Sequence, residues 1–159
     1  MKLHRIASGG RTWVPADVSG AGAASEPGRW NNKGEHVLYA APALSLAVLE
    51  TAAHIDDSGL PLNRFVVELD VPDAVWDARL TMRAGDLPGG WDAIPYCMVS
   101  TTIGGQWYQE GRHALLELPS VIVPEEPIVL VNATHADARQ IRAKAGRRFD
   151  YNTLFRRPW

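Results

Sequence analysis

What this chain lacks narrows its chemistry first. It carries one cysteine, Cys97, so no disulfide can close within it, and a reducing cytoplasm suits it. Cys97 lies in the apolar run Ile94–Val99, where a buried, inert thiol is expected. No window is apolar for the roughly 20 residues that a membrane span needs. The N-terminal stretch has no long apolar segment of the leader type either. A net charge of −2 supplies no field for nucleic acid or an anionic membrane, so neither is an expected partner. Local basic groups can still hold one phosphate. The five histidines are scattered without paired metal-ligand spacing. Gly-x-Ser-x-Gly, a Walker loop and a Rossmann fingerprint are all absent, which sets aside three common enzyme architectures.

What remains is an ordinary globular composition. The 159 residues fit one domain with a real core, 46% of them hydrophobic and 21% charged. Six tryptophans are unusual for this length, and tryptophan suits both core packing and flat ligand rings.

Along the chain, His4–Ala7 reads as a short first strand, and Ser8–Gly28, rich in Gly, Ala and Ser, as a long irregular loop. Glu35–Ala40 reads as a strand. A helix follows from Ala41-Pro42 to His54, closed by Asp56–Gly59. Asn63–Val71 is the clearest strand, and Val75–Leu80 reads as another short one. Tyr96–Ile103 fits either a strand or a helix, broken by Gly104-Gly105, with a further short helix over Gly105–Glu110. Ala114–Leu118, Ser120–Val123 and Pro127–Asn132 read as strands, His135–Lys144 as a short helix and Phe149–Phe155 as a strand or extended tail. Mostly strands with a few inserted helices gives an α+β domain.

Glu50 is the most informative residue. It sits in a nearly all-apolar helix, where an ionised carboxylate is costly unless a partner or ligand compensates. Leu44, Val48, Thr51 and Ile55 form one helix face and Leu46, Leu49, Glu50 and Ala53 another, the pattern of a helix packed between layers. Glu50 either points out at the helix edge or faces a cavity that a ligand fills. Arg29, in Gly28-Arg29-Trp30-Asn31, is either a surface turn residue or a fork for a phosphate. Tyr39 in its strand either packs in the core or stacks on a base or aromatic leaving group. Ser120, between Pro119 and Val121, needs a hydrogen-bond partner, which is a backbone carbonyl or a ligand hydroxyl or phosphate.

In order and spacing, Gly28-Arg29-Trp30-Asn31, Val37-Leu38-Tyr39, Leu46–Glu50 and Leu118–Glu125 together resemble the RES domain, named for its arginine, glutamate and serine. Asn132–Asp137 and Phe149-Asp150 resemble its C-terminal pattern, whereas Asp86–Gly105 is harder to place against it. The resemblance implies one RES domain over residues 1–159. Its fold would be similar to ADP-ribosyltransferase toxins, a split, mixed β core with helices around it. It implies the toxin of a toxin–antitoxin pair with an Xre-type antitoxin, and possible homo-oligomers within that complex are left open. The implied activity is NAD degradation by hydrolysis or phosphorolysis of the nicotinamide–ribose bond, with NAD as substrate and inorganic phosphate as a conceivable co-substrate. Protein ADP-ribosylation is the alternative, and a non-catalytic nucleotide- or partner-binding module is a third reading. By the resemblance Arg29, Tyr39, Glu50 and Ser120 are active-site positions. Arg29 would grip the pyrophosphate, Tyr39 stack on nicotinamide or ribose, and Ser120 orient a phosphate or sugar hydroxyl; Trp30 would line the NAD site with them.

Overall fold

The computed structural model describes residues 1–10, 14–55 and 59–155. Two sheets form the frame. In the first, β1 (Lys2–Ser8) pairs antiparallel with β3 (Arg64–Asp70), which pairs antiparallel with β7 (Arg142–Phe149). In the second, the order is β2 (Val37–Ala40), β6 (Pro127–Asn132), β5 (Leu115–Pro119) and β4 (Leu80–Thr81), with β4 and β5 parallel. Among the described residues the sheets are joined at one bridge, where His4 and Ala41 exchange N–H···O bonds of 2.8 and 2.9 Å. This is the split, mixed β core.

Side-chain alternation along each strand decides which layer is buried where. On β2, Leu38 and Ala40 face a core shared with Leu3, Val67, Leu69 and Val131 from both sheets. Val37 and Tyr39 face the opposite side, onto a second cluster with Trp30, Leu46, Trp107 and Leu130. Helix α2 (Leu44–Ala52) follows directly from the bridge at Ala41. Its Leu46 and Ala47 belong to the second cluster, while Val48 packs on Ile6, Phe149 and Tyr151 in a third. The helix therefore covers the line where the sheets part, as its two-sided apolar pattern requires. On the face expected to carry Leu46, Leu49, Glu50 and Ala53, only Leu46 is buried, and Leu49 and Ala53 are exposed.

Several expectations shift. Val75–Leu80 is not a strand: Pro72 caps α3 (Asp73–Asp77), and only then does the two-residue β4 follow. Proline's fixed φ and an acid in the first turn favour a helix start there. The long loop after β1 contains a short helix, α1 (Ala21–Ser25). The expected helix stop at Asp56–Gly59 falls mostly on residues 56–58, outside the described residues. Ser120–Val123 is a turn rather than a strand, because the Ser120 hydroxyl accepts the amides of Ile122 and Val123, both at 3.0 Å. The helix expected over His135–Lys144 is one 3₁₀ segment, Ala136–Gln140; β7 then begins, and pairing with β3 overrides local preference. Past β7 the chain forms a short helix, α5 (Asn152–Phe155), not a strand.

The largest correction lies at Gly104-Gly105, which do not interrupt a helix but sit inside one, α4 (Met98–Glu110). A Cβ on Gly104 would lie 1.7 Å from the Trp30 carbonyl oxygen, and one on Gly105 would lie 2.5 Å from Asn32 Nδ2. The glycines let the helix backbone press directly against the Arg29–Asn32 segment. Cys97 precedes α4 and is exposed rather than buried, because Ile94–Met98 runs over the surface.

Candidate active site

The segment between α1 and β2 is anchored by Trp30, whose side chain is 1% exposed and stacks on Trp91 at a centroid distance of 6.3 Å. Removing a side chain of this size from a core costs roughly 3–5 kcal/mol, so the segment is firmly seated. Its neighbour Arg29 is half-buried. The Arg29 Nη1 donates to the carbonyls of Trp91 at 3.2 Å and Ala93 at 2.8 Å, and its guanidinium lies 5.8 Å from the centre of the Tyr96 ring. Both bonds use the same nitrogen. Among the described residues, no hydrogen bond occupies Nη2 or Nε, the side of the fork that a phosphate or carboxylate would meet.

Tyr39 rises from β2 toward the same segment. Its hydroxyl donates to Asn31 Oδ1 at 2.8 Å and accepts the Trp30 amide at 3.0 Å. Burial pushes the Tyr39 phenol well above its ordinary value, partly offset by the Trp30 hydrogen bond and by the charge of Arg29.

Glu50 extends from α2, three and four residues after Ala47 and Leu46 of the second cluster, so it leans to that side of the helix. It is half-buried, neither sealed in the core nor free in solvent. Ser120, fully buried at the end of β5, donates to Glu50 Oε1 at 2.6 Å. The serine's partner is thus a carboxylate, which neither a backbone carbonyl nor a ligand anticipated. Its donor and both lone pairs are in use. Glu50 accepts one hydrogen bond among the described residues, and a carboxylate can accept about four.

The predicted residues fall into two pairs. Tyr39 bonds to the Gly28–Asn32 segment that carries Arg29, and Glu50 and Ser120 bond directly. Trp30, beside Arg29, packs in one cluster with Leu46 and Ala47 of α2 and Leu118 of β5, and Tyr39 packs against the same cluster. Among the described residues, no hydrogen bond or ion pair joins Arg29 to Glu50. A hollow of about 300 Å³ opens elsewhere, between β1 and the stretch before α1, lined by Arg5, Ser8, Asp17 and Ser25 among others; none of the four predicted residues borders it.

Sequence reasoning missed three parts of this arrangement. Asn31 is 1% exposed and fully hydrogen-bonded. Glu35, expected inside a strand, is a buried carboxylate that accepts the Asn32 amide at 2.7 Å and the Gln109 side chain at 3.4 Å. The Asn32-x-x-Glu35 spacing, like that of a capping box, was the available signal. The third is the Trp91–Tyr96 stretch that holds Arg29. Nothing in its composition announces that role.

Comparison with known proteins shows what the chain as a whole is similar to. A curated relative from Sphingobium sp. (strain YBL2), named Prs ADP-ribosylating toxin, is 49% identical over 148 residues, covering 93% of this chain and 92% of the relative. Proteins named Toxin Res from Yersinia enterocolitica and Photorhabdus laumondii are 32% and 33% identical, each covering about 85% of both chains. Among solved structures, a chain of the M. tuberculosis MbcT–MbcA toxin–antitoxin complex superposes with a TM-score of 0.67 at 14% identity, over 91% of this chain and 83% of that one, a likeness of fold. The RES domain family model matches residues 2–152, and this chain belongs to the RES domain family.

Proposed function

We propose that this protein is the toxin of a toxin–antitoxin pair and that it transfers ADP-ribose from NAD to a protein. The observation that carries the NAD chemistry is the Glu50 carboxylate, oriented by Ser120 with acceptor sites to spare. Such a group can accept a ribose hydroxyl and stabilise the positive charge that develops on the sugar as its bond to nicotinamide lengthens. Nicotinamide departs with the bonding pair on its ring nitrogen and leaves neutral, so no strong general acid is needed. A nucleophile from the acceptor protein forms the new bond to the sugar carbon and loses its proton to the medium. Arg29 holds the pyrophosphate with the outer edge of its fork, and Ser120 acts by fixing Glu50.

The sequence resemblance puts NAD degradation first. The 49% identical relative, named for ADP-ribosylating Prs, favours transfer to a protein instead, and Prs is the first acceptor to test. Water or phosphate attacking the same sugar carbon would give hydrolysis or phosphorolysis in the same site. The likeness to a chain of a toxin–antitoxin complex supports a partner antitoxin, for which the Xre type remains the proposal, and we place the pair in the cytoplasm. We treat the whole chain as one domain, since the family match spans nearly all of it. No helix among the described residues is long and apolar enough to cross a membrane.

The test uses NAD labelled in its adenylate half, with Prs or a cell extract, in the presence and absence of phosphate. A labelled protein band is expected. Label found only in free ADP-ribose or its phosphate would replace transfer with degradation. Binding of NAD with no nicotinamide released in any condition would overturn the enzymatic reading.

A further inference from the structure

The amides on either side of Arg29 are each taken by one of two side chains that also bond to each other. Asn31 Oδ1 accepts the Gly28 amide at 2.9 Å. The Tyr39 hydroxyl accepts the Trp30 amide at 3.0 Å and donates to the same Asn31 oxygen at 2.8 Å. The Asn31 Nδ2 then donates to the carbonyls of Ala23 and Asn32 at 2.9 and 3.0 Å. Every hydrogen-bonding site of that carboxamide is filled, and the side chain is closed to solvent. Gly28 completes the fit, since a Cβ there would lie 2.8 Å from the Tyr39 oxygen.

We infer that Asn31 is a positioning residue for the NAD reaction, and that with the Tyr39 hydroxyl it forms a clamp that fixes the backbone of Arg29. This rests on the reading of Arg29 as the anion grip. Asn31 touches no substrate. It sets where the guanidinium starts from, and the Trp91 and Ala93 carbonyls then set where it ends. The clamp assigns Tyr39 a task that depends on its hydroxyl, whereas stacking would need only its ring.

Asn31→Ala and Tyr39→Phe should each raise KM for NAD, by roughly five- to tenfold, with a smaller change in kcat, because each removes neutral hydrogen bonds that act through binding. The double variant should be no worse than about the stronger single one, since both break the same bond. In an Arg29→Ala background, neither change should raise KM further. Tyr39→Phe preserves shape, so it remains informative where Asn31→Ala fails to fold. An unchanged KM in folded Tyr39→Phe, or an undiminished rise in the Arg29→Ala background, would overturn the clamp. A readout without turnover separates this from failure of the NAD reading. In ¹⁵N relaxation, the backbone amides of Arg29 and Trp30 should be ordered in the parent and mobile in Tyr39→Phe. Equal order in both refutes the clamp even if the protein never consumes NAD.

Discussion

Ser120 and Glu50, 70 residues apart in sequence, share a 2.6 Å hydrogen bond in which the serine hydroxyl donates to the carboxylate. The same oxygen accepts two amides in the turn that follows β5, so its O–H can point in one direction only. That turn therefore aims the acid on α2. Ser120→Ala should lower kcat by about 10- to 100-fold, the range for losing one hydrogen bond to a charged group, with little change in KM. It should also cost about 1–2 kcal/mol of stability from the two orphaned amides. Steady-state kinetics and chemical denaturation read the two effects separately.

Glu50→Gln keeps size and the hydrogen bond from Ser120 but removes the charge. If the carboxylate stabilises a cationic sugar, kcat should fall by about 100-fold or more. Parental turnover by the purified variant would end that assignment.

Arg29→Lys tests the fork. An ammonium can satisfy one of the backbone carbonyls but offers no second planar edge to an anion. KM for NAD should rise by about tenfold or more while the fold is retained. Titration with NAD in the presence of rising salt would separate this loss from general charge screening.

Gly104→Ala should be among the most damaging single methyl additions in the protein. The new carbon would meet the Trp30 carbonyl, which belongs to a backbone seated by a buried tryptophan and cannot yield cheaply. A loss of at least about 1–3 kcal/mol is expected, with weakened NAD use as the Arg29 segment shifts. Gly85→Ala is the control, because nothing lies within 4 Å of the methyl it would add, and its melting temperature should stay near the parent's.

Tyr39 predicts a pH effect. Burial raises its phenol above the ordinary value of about 10, so the folded state keeps its proton when the unfolded chain has released it. Its stabilising contribution is complete below about pH 10 and is lost as pH rises from there toward the folded-state value. Denaturation midpoints should therefore fall more steeply above about pH 10 in the parent than in Tyr39→Phe. Equal slopes would contradict the burial argument.

Local pattern alone determined a good part of this protein. The β-branched run at Arg64–Asp70, the apolar Pro127–Asn132 and the two-sided apolar helix carrying Glu50 are all legible because side-chain period depends only on near neighbours. Arg29, Tyr39, Glu50 and Ser120 are visible locally as polar groups in apolar runs or a glycine-bracketed turn, but each admits a plain structural reading, and it is the resemblance to the RES domain that joins them into one set. Tertiary structure decided what no local pattern encodes. Gly104-Gly105 is a helix breaker by propensity and a helix interior in fact, because close approach to the Trp30 carbonyl outweighs a cost of about 1 kcal/mol per glycine. Arg142–Phe149 is a strand because β3 presents an edge to it. Ser120 meets Glu50 because α2, which follows the bridge at His4 and Ala41, packs beside the end of β5. Pairings of this kind, Ser120 with Glu50 and β7 with β3, are fixed by where distant backbones pack, and no spacing along the chain records them.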